Sequence, residues 1–228
     1  MGKNIAIITA RGGSKRIYKK NIRDFCGKPI ISYSIEAALM SNQFDEVMVS
    51  TDDIEIANIS KEYGAEVPFF RSSKNSDDYA TTEDVILEVL NEYKKRSIEF
   101  DYVCCIYPTA PFVNEKKICD CIQLIKENDV EQIIPVVAYS FPPQRCNIIR
   151  NDGKLDYKFP QYKKTRSQDL ETWYHDAGQF YVYDVKKFIR CKGECTDFMP
   201  YILSEMEVQD IDNEVDWELA EIKYKMLK

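Results

Sequence analysis

Short β-branched runs alternate with amphipathic helical patterns along most of this chain, and no other feature limits its fold as strongly. The predicted strands cover residues 5–9, 46–50, 66–69, 102–107, 133–137, 178–183 and 206–210. The predicted helices cover residues 29–40, 53–63, 81–95, 114–127 and 213–227. A strand, a helix and a further strand in succession build a parallel sheet with helices packed on its faces. The sequence therefore predicts an α/β fold of three layers with a mainly parallel central sheet.

The alternation stops between residues 139 and 176, where prolines and aromatic residues follow no clear period. A structureless loop of that length is uncommon inside a compact domain. We therefore expect an insert of short hairpins at about 139–176 that serves as a lid, as a dimer contact, or as both. The length of 228 residues suits one α/β domain, so we predict a single domain over residues 1–228.

Charge and hydropathy exclude several classes of partner. The formal net charge is −7, which argues against binding to nucleic acid or to an anionic membrane surface. No apolar run approaches the ~18 residues that cross a membrane, and the first residues lead into a strand without the pattern of a signal peptide. We expect a cytoplasmic protein that binds neither nucleic acid nor membrane.

The first predicted strand leads into a basic loop that contains two adjacent glycines. Gly12 and Gly13 let the backbone adopt positive φ and bring its N–H groups close to a ligand. Five basic side chains fall within residues 11–20, namely Arg11, Lys15, Arg16, Lys19 and Lys20. Such a cluster in an acidic chain favours the binding of a polyanion. We interpret the loop as a phosphate-binding loop, with a solvated basic turn as the alternative.

The spacing of this loop matches neither the common phosphate loop nor the dinucleotide-binding turn. Residues 5–21 instead resemble the N-terminal signature of the cytidylyltransferases that activate sialic-acid-like sugars as CMP conjugates. In that family a strand leads into Pro-Ala-Arg-Gly-Gly-Ser-Lys and then Lys-Asn, whereas Thr9 and Tyr18 here replace two common prolines. The resemblance covers the whole chain, most weakly the insert, and implies a Rossmann-like nucleotide-diphospho-sugar transferase fold. It implies that Lys20 is catalytic and that CTP is bound by Ala10, Arg11, Gly12, Gly13, Ser14, Lys15 and Asn21.

Two aspartates precede the last predicted helix. Side chains at i and i+2 of an extended segment face the same side, so Asp210 and Asp212 would present two carboxylates together. Hard oxygen ligands of this kind hold Mg²⁺ at triphosphates. Asp212 could instead cap the final helix, and Asn213 offers a second capping option, but a cap leaves Asp210 unexplained. In the resembled family an Asp-x-Asp near the C-terminal end carries the Mg²⁺ ligands, so we expect both aspartates to be metal-binding and catalytic.

A proline-rich turn follows the predicted central strand. Residues 107–112 read Tyr-Pro-Thr-Ala-Pro-Phe, and ligands of parallel sheets bind beyond the carboxyl ends of the strands. The turn resembles the family's Leu-Gln-Pro-Thr-Ser-Pro, in which the glutamine touches sugar, and this implies that Tyr107 and Thr109 contact the sugar. On its own residues the stretch is also simply a rigid turn. The resemblance further assigns Arg71 and Thr82 to CTP binding, where the residues alone suggest a surface arginine and the start of a helix.

Residues 171–181 form an aromatic string around the only histidine of the chain. The string resembles the branch of the family that acts on pseudaminic acid, and it implies sugar contacts from His175, Asp176 and Gln179. A lone histidine is more often a structural residue than a catalyst. Arg145 and Arg166, in the insert, are candidates for binding the sugar carboxylate, although each could equally be solvated.

Together these motifs predict a nucleotidyltransferase. We expect it to transfer CMP from CTP to the anomeric hydroxyl of a nine-carbon sugar acid, pseudaminic acid, with Mg²⁺ as cofactor and pyrophosphate as the second product. The nearest alternatives use N-acetylneuraminic, legionaminic or 3-deoxy-octulosonic acid. A sugar-nucleotide-dependent glycosyltransferase and a non-catalytic nucleotide sensor are alternatives from other classes. The aromatic insert also favours a homodimer.

Overall fold

A seven-stranded sheet lies at the centre of the fold, in a computed structural model that describes residues 2–228. The strands of the chain are β1 (Asn4–Thr9), β2 (Asp24–Phe25), β3 (Lys28–Pro29), β4 (Glu46–Ser50), β5 (Tyr102–Ile106), β6 (Gln132–Ala138), β7 (Asn147–Ile149), β8 (Leu155–Tyr157), β9 (Tyr174–Asp176), β10 (Phe180–Asp184) and β11 (Phe198–Leu203). The helices are α1 (Ile30–Met40), α2 (Ile54–Glu62), α3 (Thr82–Lys95), α4 (Glu115–Glu127), α5 (Val185–Arg190) and α6 (Glu214–Leu227).

The order of strands across the sheet is β11-β6-β10-β5-β1-β4, and β9 pairs with β6 outside this path. Strand β1 is parallel to both of its neighbours, β4 and β5, and β6 is parallel to β11. Within this seven-stranded sheet of residues 2–228, only the pairings made by β9 and β10 are antiparallel. The predicted α/β fold with a mainly parallel sheet is confirmed, and the sheet as a whole is mixed.

Alternate residues of the central strands face two different apolar layers. In β1, Ala6 and Ile8 pack in the core formed with α1, α2 and α4, whereas Ile5 and Ile7 pack in the core formed with α3 and α5. All four side chains are completely buried. Burial of an isoleucine side chain contributes about 1.5–3 kcal/mol, so this strand is held firmly from both faces. The loop that follows β1 therefore starts from a fixed point.

Polar residues cap the helices at the positions that the sequence predicts. The Asp53 carboxylate accepts hydrogen bonds from the N–H groups of Glu55 and Ile56 at the start of α2. Thr81 and Asn114 cap α3 and α4 in the same way. Asn213, and not Asp212, caps α6. The carboxylate of Asp212 is therefore free of a capping role.

The prediction of a strand over residues 206–210 is wrong. Residues Glu205–Glu207 form one turn of 3-10 helix, and 208–212 have no regular structure. The last strand is β11, which pairs with β6 through six residues at the edge of the sheet. The proline within it, Pro200, is tolerated because an edge strand has one side without ladder hydrogen bonds. Residues 66–69 likewise form a single bridge, between Glu66 and Met48, rather than a strand.

The segment between β6 and β9 contains short elements only. Strands β7 and β8 form a two-stranded hairpin, and single 3-10 turns cover Pro143–Arg145, Pro160–Tyr162 and Ser167–Asp169. The last three residues of the predicted insert, Tyr174–Asp176, are strand β9 of the central sheet. This return to the sheet brings the aromatic string of residues 171–181 close to the carboxyl end of β6.

Candidate functional site

A cavity of about 410 Å³ lies beyond the carboxyl ends of β1 and β5. Parallel strands of α/β proteins bind ligands at this edge. Many of the residues that the sequence assigned to a site line it, namely Arg11, Gly13, Ser14, Lys15, Lys20, Asn21, Tyr107 and Thr109. The basic loop and the proline-rich turn, which are far apart in sequence, therefore form the walls of one cavity.

The two glycines of the basic loop have different structural roles. The N–H of Gly12 donates to the Asp52 carboxylate at 2.9 Å, and a Cβ on Gly12 would lie only 2.7 Å from an Asp53 oxygen. Gly12 thus lets the loop pack against the capped start of α2. A Cβ on Gly13 would meet no atom of residues 2–228 within 4 Å. Gly13 is therefore the position at which the loop is open toward a ligand.

Two other predicted CTP-binding residues hold the backbone of the loop. Asn21 is buried, and its side-chain amide donates to the Arg11 carbonyl at 2.8 Å. The N–H of Ala10 donates to the Ser50 carbonyl at 3.0 Å and so continues the pairing of β1 with β4. Asn21 and Ala10 therefore position the loop in this structure.

A carboxylate lies between two cations of the cavity. Asp78, in the loop before α3, accepts from Arg11 at 2.8 Å and from Lys15 at 2.5 Å. Arg11 also donates to the Asp77 carbonyl at 2.9 Å. The hydrogen bond from Lys15, and next that from Arg11, lower the pKa of Asp78. Asp78 therefore places a negative charge where the basic loop would bind a phosphate.

Lys20 connects the basic loop to the segment that carries the two aspartates. Its ammonium donates to the Ile211 carbonyl at 2.7 Å and lies 3.9 Å from an Asp212 oxygen. Burial lowers the pKa of Lys20, while the charges of Asp212 and Asp210 act in the opposite direction. The two most informative motifs of the sequence, one at each end of the chain, thus meet in the fold.

The two aspartates differ in their environment. Asp212 forms an ion pair with Arg16 at 2.8 Å. No side chain within residues 2–228 donates a hydrogen bond to the Asp210 carboxylate or forms an ion pair with it. Partial burial, and next the charge of Asp212, raise the pKa of Asp210. A carboxylate that is repelled by a neighbouring negative charge and is not paired with a cation is suited to bind Mg²⁺, because the metal ion would offset that repulsion.

Arg71 and Thr82 are not among the residues within 2–228 that line the first cavity. Arg71 is buried, contrary to the surface position that its residue type suggests, and its guanidinium donates to the Ser50 hydroxyl at 3.0 Å and to the Ser50 carbonyl at 2.5 Å. Its desolvation lowers the pKa of the guanidinium. The Thr82 hydroxyl lies 3.1 Å from the Tyr107 hydroxyl. Thr82 thus supports Tyr107, and Arg71 supports the end of β4.

A second cavity, of about 380 Å³, is lined by His175, Asp176 and Asp210. The Asp176 carboxylate accepts from the Tyr181 hydroxyl, with 2.9 Å to each oxygen. The ring of Tyr181 packs edge-on against Tyr107, with 5.6 Å between the centroids. Asp210 therefore lies close to a cavity that is linked to the first one through two tyrosines.

Three predicted sugar-binding residues are not part of either cavity as residues 2–228 form them. Arg145 donates to the Ser167 hydroxyl at 3.1 Å, and Arg166 pairs with Asp169 at 2.7 Å, so both are engaged within the insert. Gln179 is buried and donates to the Glu207 carbonyl at 2.6 Å. The structure does not bring these three side chains together with His175 and Asp176.

Sequence reasoning gave no individual role to several charged residues that the structure places at the cavities. Asp78 and Arg16 line the first cavity, and Lys223 of α6 lines the second. The ammonium of Lys223 donates to the carbonyls of Val208 at 2.8 Å and Glu205 at 3.2 Å. Asp78 and Arg16 lie within stretches that the sequence marked, but no local pattern distinguishes Lys223 from the other lysines of its helix.

Comparison with protein families gives a clear result. A family model described as cytidylyltransferase matches residues 5–221. The chain belongs to the cytidylyltransferase family. It is therefore a nucleotidyltransferase, and the resemblance read from the first twenty-one residues is confirmed.

Curated relatives match along nearly the whole chain. The chain is 40% identical over 228 residues to a pseudaminic acid cytidylyltransferase of Campylobacter jejuni, which covers 98% of this chain and 97% of the relative. It is 32% identical over 225 residues to a CMP-N,N′-diacetyllegionaminic acid synthase of Legionella pneumophila, with 95% and 94% covered. A solved structure of a CMP:2-keto-3-deoxy-manno-octonic acid synthetase complexed with CTP shares the fold, with a TM-score of 0.71, 16% identity and 99% of this chain covered and 100% of that chain.

Within residues 2–228, no helix combines the length and the apolar character that crossing a bilayer would require.

The different roles of the two glycines can be tested by adding one methyl group to each. Gly12→Ala should reduce the free energy of unfolding by about 1–3 kcal/mol, because the new Cβ collides with the cap of α2. Gly13→Ala adds a methyl group in open space and should change that free energy by less than about 0.5 kcal/mol. Chemical denaturation of both variants measures the difference, and equal losses would contradict the assignment.

Proposed function

We propose that the chain transfers CMP from CTP to the anomeric hydroxyl of pseudaminic acid and releases pyrophosphate. One observation carries this proposal: Lys20 of the basic loop contacts the segment that carries Asp210 and Asp212. This contact brings the basic loop, which could bind a polyphosphate, next to two carboxylates that could bind the metal ion of that polyphosphate. The 40% identical relative is named for the same sugar, which supports the finer assignment. The cytoplasmic location expected from the sequence stays a prediction.

The proposed reaction is an in-line displacement at phosphorus. The anomeric hydroxyl oxygen forms a bond to the α-phosphorus of CTP and loses its proton. The bond between the α-phosphorus and the bridging oxygen breaks, and pyrophosphate leaves with that electron pair. Such a transfer requires mainly that the protein positions the reactants and neutralises their charge.

The residues of the first cavity suit the triphosphate. Arg11 and Lys15 would bind phosphate oxygens once these replace the Asp78 carboxylate, and Lys20 would neutralise charge that builds on the α-phosphate or on the pyrophosphate. Asp210 and Asp212 would hold Mg²⁺, which when bound supplies positive charge to the phosphates. The carboxylates and the cations would thus lie around the position at which negative charge increases during the reaction.

The second cavity suits the sugar. It adjoins Asp210 and presents His175 and Asp176, so a sugar in it would lie beside the phosphates bound in the first cavity. We infer that Tyr107, which stands where relatives of the sialate type have glutamine, supports this cavity through its contact with Tyr181. The relative named for a legionaminic acid makes that sugar the main alternative.

The expected substrate can be tested directly with purified protein, CTP and Mg²⁺. Pyrophosphate release should be fast with pseudaminic acid and at least about five-fold slower with N-acetylneuraminic or N,N′-diacetyllegionaminic acid, since each polar group left without its partner costs about 1 kcal/mol or more. Fast release with another sugar acid only would keep the reaction and overturn the sugar assignment. Release with none of them would contradict the proposed function.

The role of Lys20 can be tested against its neighbour Lys19 as a control. Lys19 pairs with Glu55 at 2.5 Å and does not line the cavity within the described chain. Lys20→Ala should lower kcat by about 10²–10³-fold, because one charge contact to the transition state is lost. Lys19→Ala should change kcat by less than about three-fold, as expected for an exposed ion pair. Circular dichroism checks that both variants are folded, and a Lys20→Ala variant with normal turnover would refute the role.

Asp78 should compete with the triphosphate for Arg11 and Lys15. Asp78→Asn removes this competing charge, and we expect a several-fold lower Kd for CTP in titration calorimetry. Asp129→Asn makes the same charge change at an exposed residue that pairs with Lys187, and it should leave the Kd unchanged. Weaker CTP binding by Asp78→Asn would show instead that Asp78 helps to hold the nucleotide.

We also propose a homodimer formed through the insert. Its apolar side chains Phe141, Ile149 and Leu155 are 86%, 77% and 71% exposed, and exposed apolar groups of this kind mark interaction surfaces. Ile149→Glu should shift the protein from dimer to monomer in light scattering. Ile54→Glu, on α2 and 63% exposed, is the matched control and should leave the mass unchanged. A monomeric wild-type protein would contradict the proposal.

A further inference from the structure

A lysine is buried near the start of α4, at a position that is unfavourable for a cation. Lys117 is 5% exposed, and its N–H donates to the side chain of Asn114, the cap of the helix. The amino end of a helix carries partial positive charge, which repels an ammonium group. Burial also lowers the pKa of Lys117. A charge in such a place is retained only when its partners compensate for the lost water.

The partners of Lys117 belong to the two segments that flank the candidate site. Its ammonium donates to the Phe112 carbonyl at 2.8 Å and pairs with a Glu207 oxygen at 3.0 Å. Phe112 ends the proline-rich turn that begins at Tyr107 and includes Thr109. Glu207 immediately precedes the irregular segment 208–212, which carries both aspartates. One ammonium group therefore connects the turn after β5 to the metal-binding segment.

The segment 208–212 has no ladder hydrogen bonds of its own and depends on such contacts. Gln179 donates to the Glu207 carbonyl and Lys223 to the Val208 carbonyl at the beginning of the segment. Lys20 donates to the Ile211 carbonyl at its end. The ammonium of Lys117 binds the side chain of Glu207, the residue before the segment, together with a carbonyl of the turn that carries Thr109.

We propose that Lys117 is a positioning residue for the nucleotidyl transfer. Through Glu207 it fixes Asp210 and Asp212 relative to the turn that carries Thr109, and so sets the distance between the bound metal and the wall of the first cavity. The inference rests on the proposed function, because it assigns the two aspartates to Mg²⁺. It adds a residue that touches neither substrate nor metal.

The chain offers a matched control for the loss of a lysine. Lys187 also donates its N–H to the cap of its helix, Asp184, and its ammonium binds an Asp129 oxygen at 2.5 Å and the Val130 carbonyl at 3.1 Å. These partners precede the amino end of β6, whereas the cavities lie at the carboxyl ends of the parallel strands. Lys187→Met therefore removes a lysine with the same kinds of contact, at a more exposed place, without touching the segment 208–212.

The test compares Lys117→Met with Lys187→Met in three measurements. We expect Lys117→Met to weaken Mn²⁺ binding in the presence of CTP by about ten-fold, as read from the electron paramagnetic resonance signal of free Mn²⁺. It should lower kcat by about ten-fold and leave the metal-free Kd for CTP within about two-fold. Lys187→Met should lower the melting temperature without changing the Mn²⁺ affinity.

The outcomes separate positioning from stability. Mn²⁺ affinity and kcat equal to those of the wild type, or the same losses in Lys187→Met, would overturn the inference. Should Lys117→Met not fold, Glu207→Gln removes the same ion pair from the more exposed side and should weaken Mn²⁺ binding in the same direction. A wild-type protein that binds CTP but no Mn²⁺ would overturn the metal assignment itself, which is a different result from a failure of Lys117 alone.

Discussion

The hydrogen bond from Lys20 to the Ile211 carbonyl is the contact on which the candidate site depends. It joins residues 191 positions apart and holds the segment of the two aspartates next to the basic loop. The strand before Lys20 is buried on both faces, whereas the segment that contains Ile211 has no regular structure. The loop anchored by β1 therefore holds the irregular segment 208–212 in place. The two aspartates are positioned by contacts with cations rather than by strand pairing.

Local chemistry explains why much of the fold could be predicted from the sequence. Asp53, Thr81 and Asn114 cap helices through hydrogen bonds that span two or three residues, so the signal is complete within a short window. The strand β11 could not be found in this way, because it contains a proline and alternates exposed with half-buried residues at an edge. Its position is set by pairing with β6, which is sixty-six residues earlier in the chain.

The same distinction applies to the site. The basic loop was visible because its residues are contiguous, and the two aspartates because they are two residues apart. Arg145 and Arg166 were expected to bind the sugar carboxylate, but their side chains bind Ser167 and Asp169 inside the insert. Lys117 carries no signal at all in the sequence, since its meaning comes from two partners that are 5 and 90 residues away. Contacts of that kind become visible only when the segments have been placed in space.

The chain of contacts from Tyr107 through Tyr181 to Asp176 has a consequence for how sugar preference could change during evolution. The hydroxyl of Tyr181 binds both oxygens of Asp176, and its ring rests against Tyr107. Replacing Tyr107 by a smaller polar residue would remove the support of the Tyr181 ring and leave that side chain, the hydrogen-bond partner of Asp176, free to rotate. These three positions are therefore expected to vary together among enzymes of this family, so that a new sugar is accommodated by an exchange of the whole set rather than by one substitution.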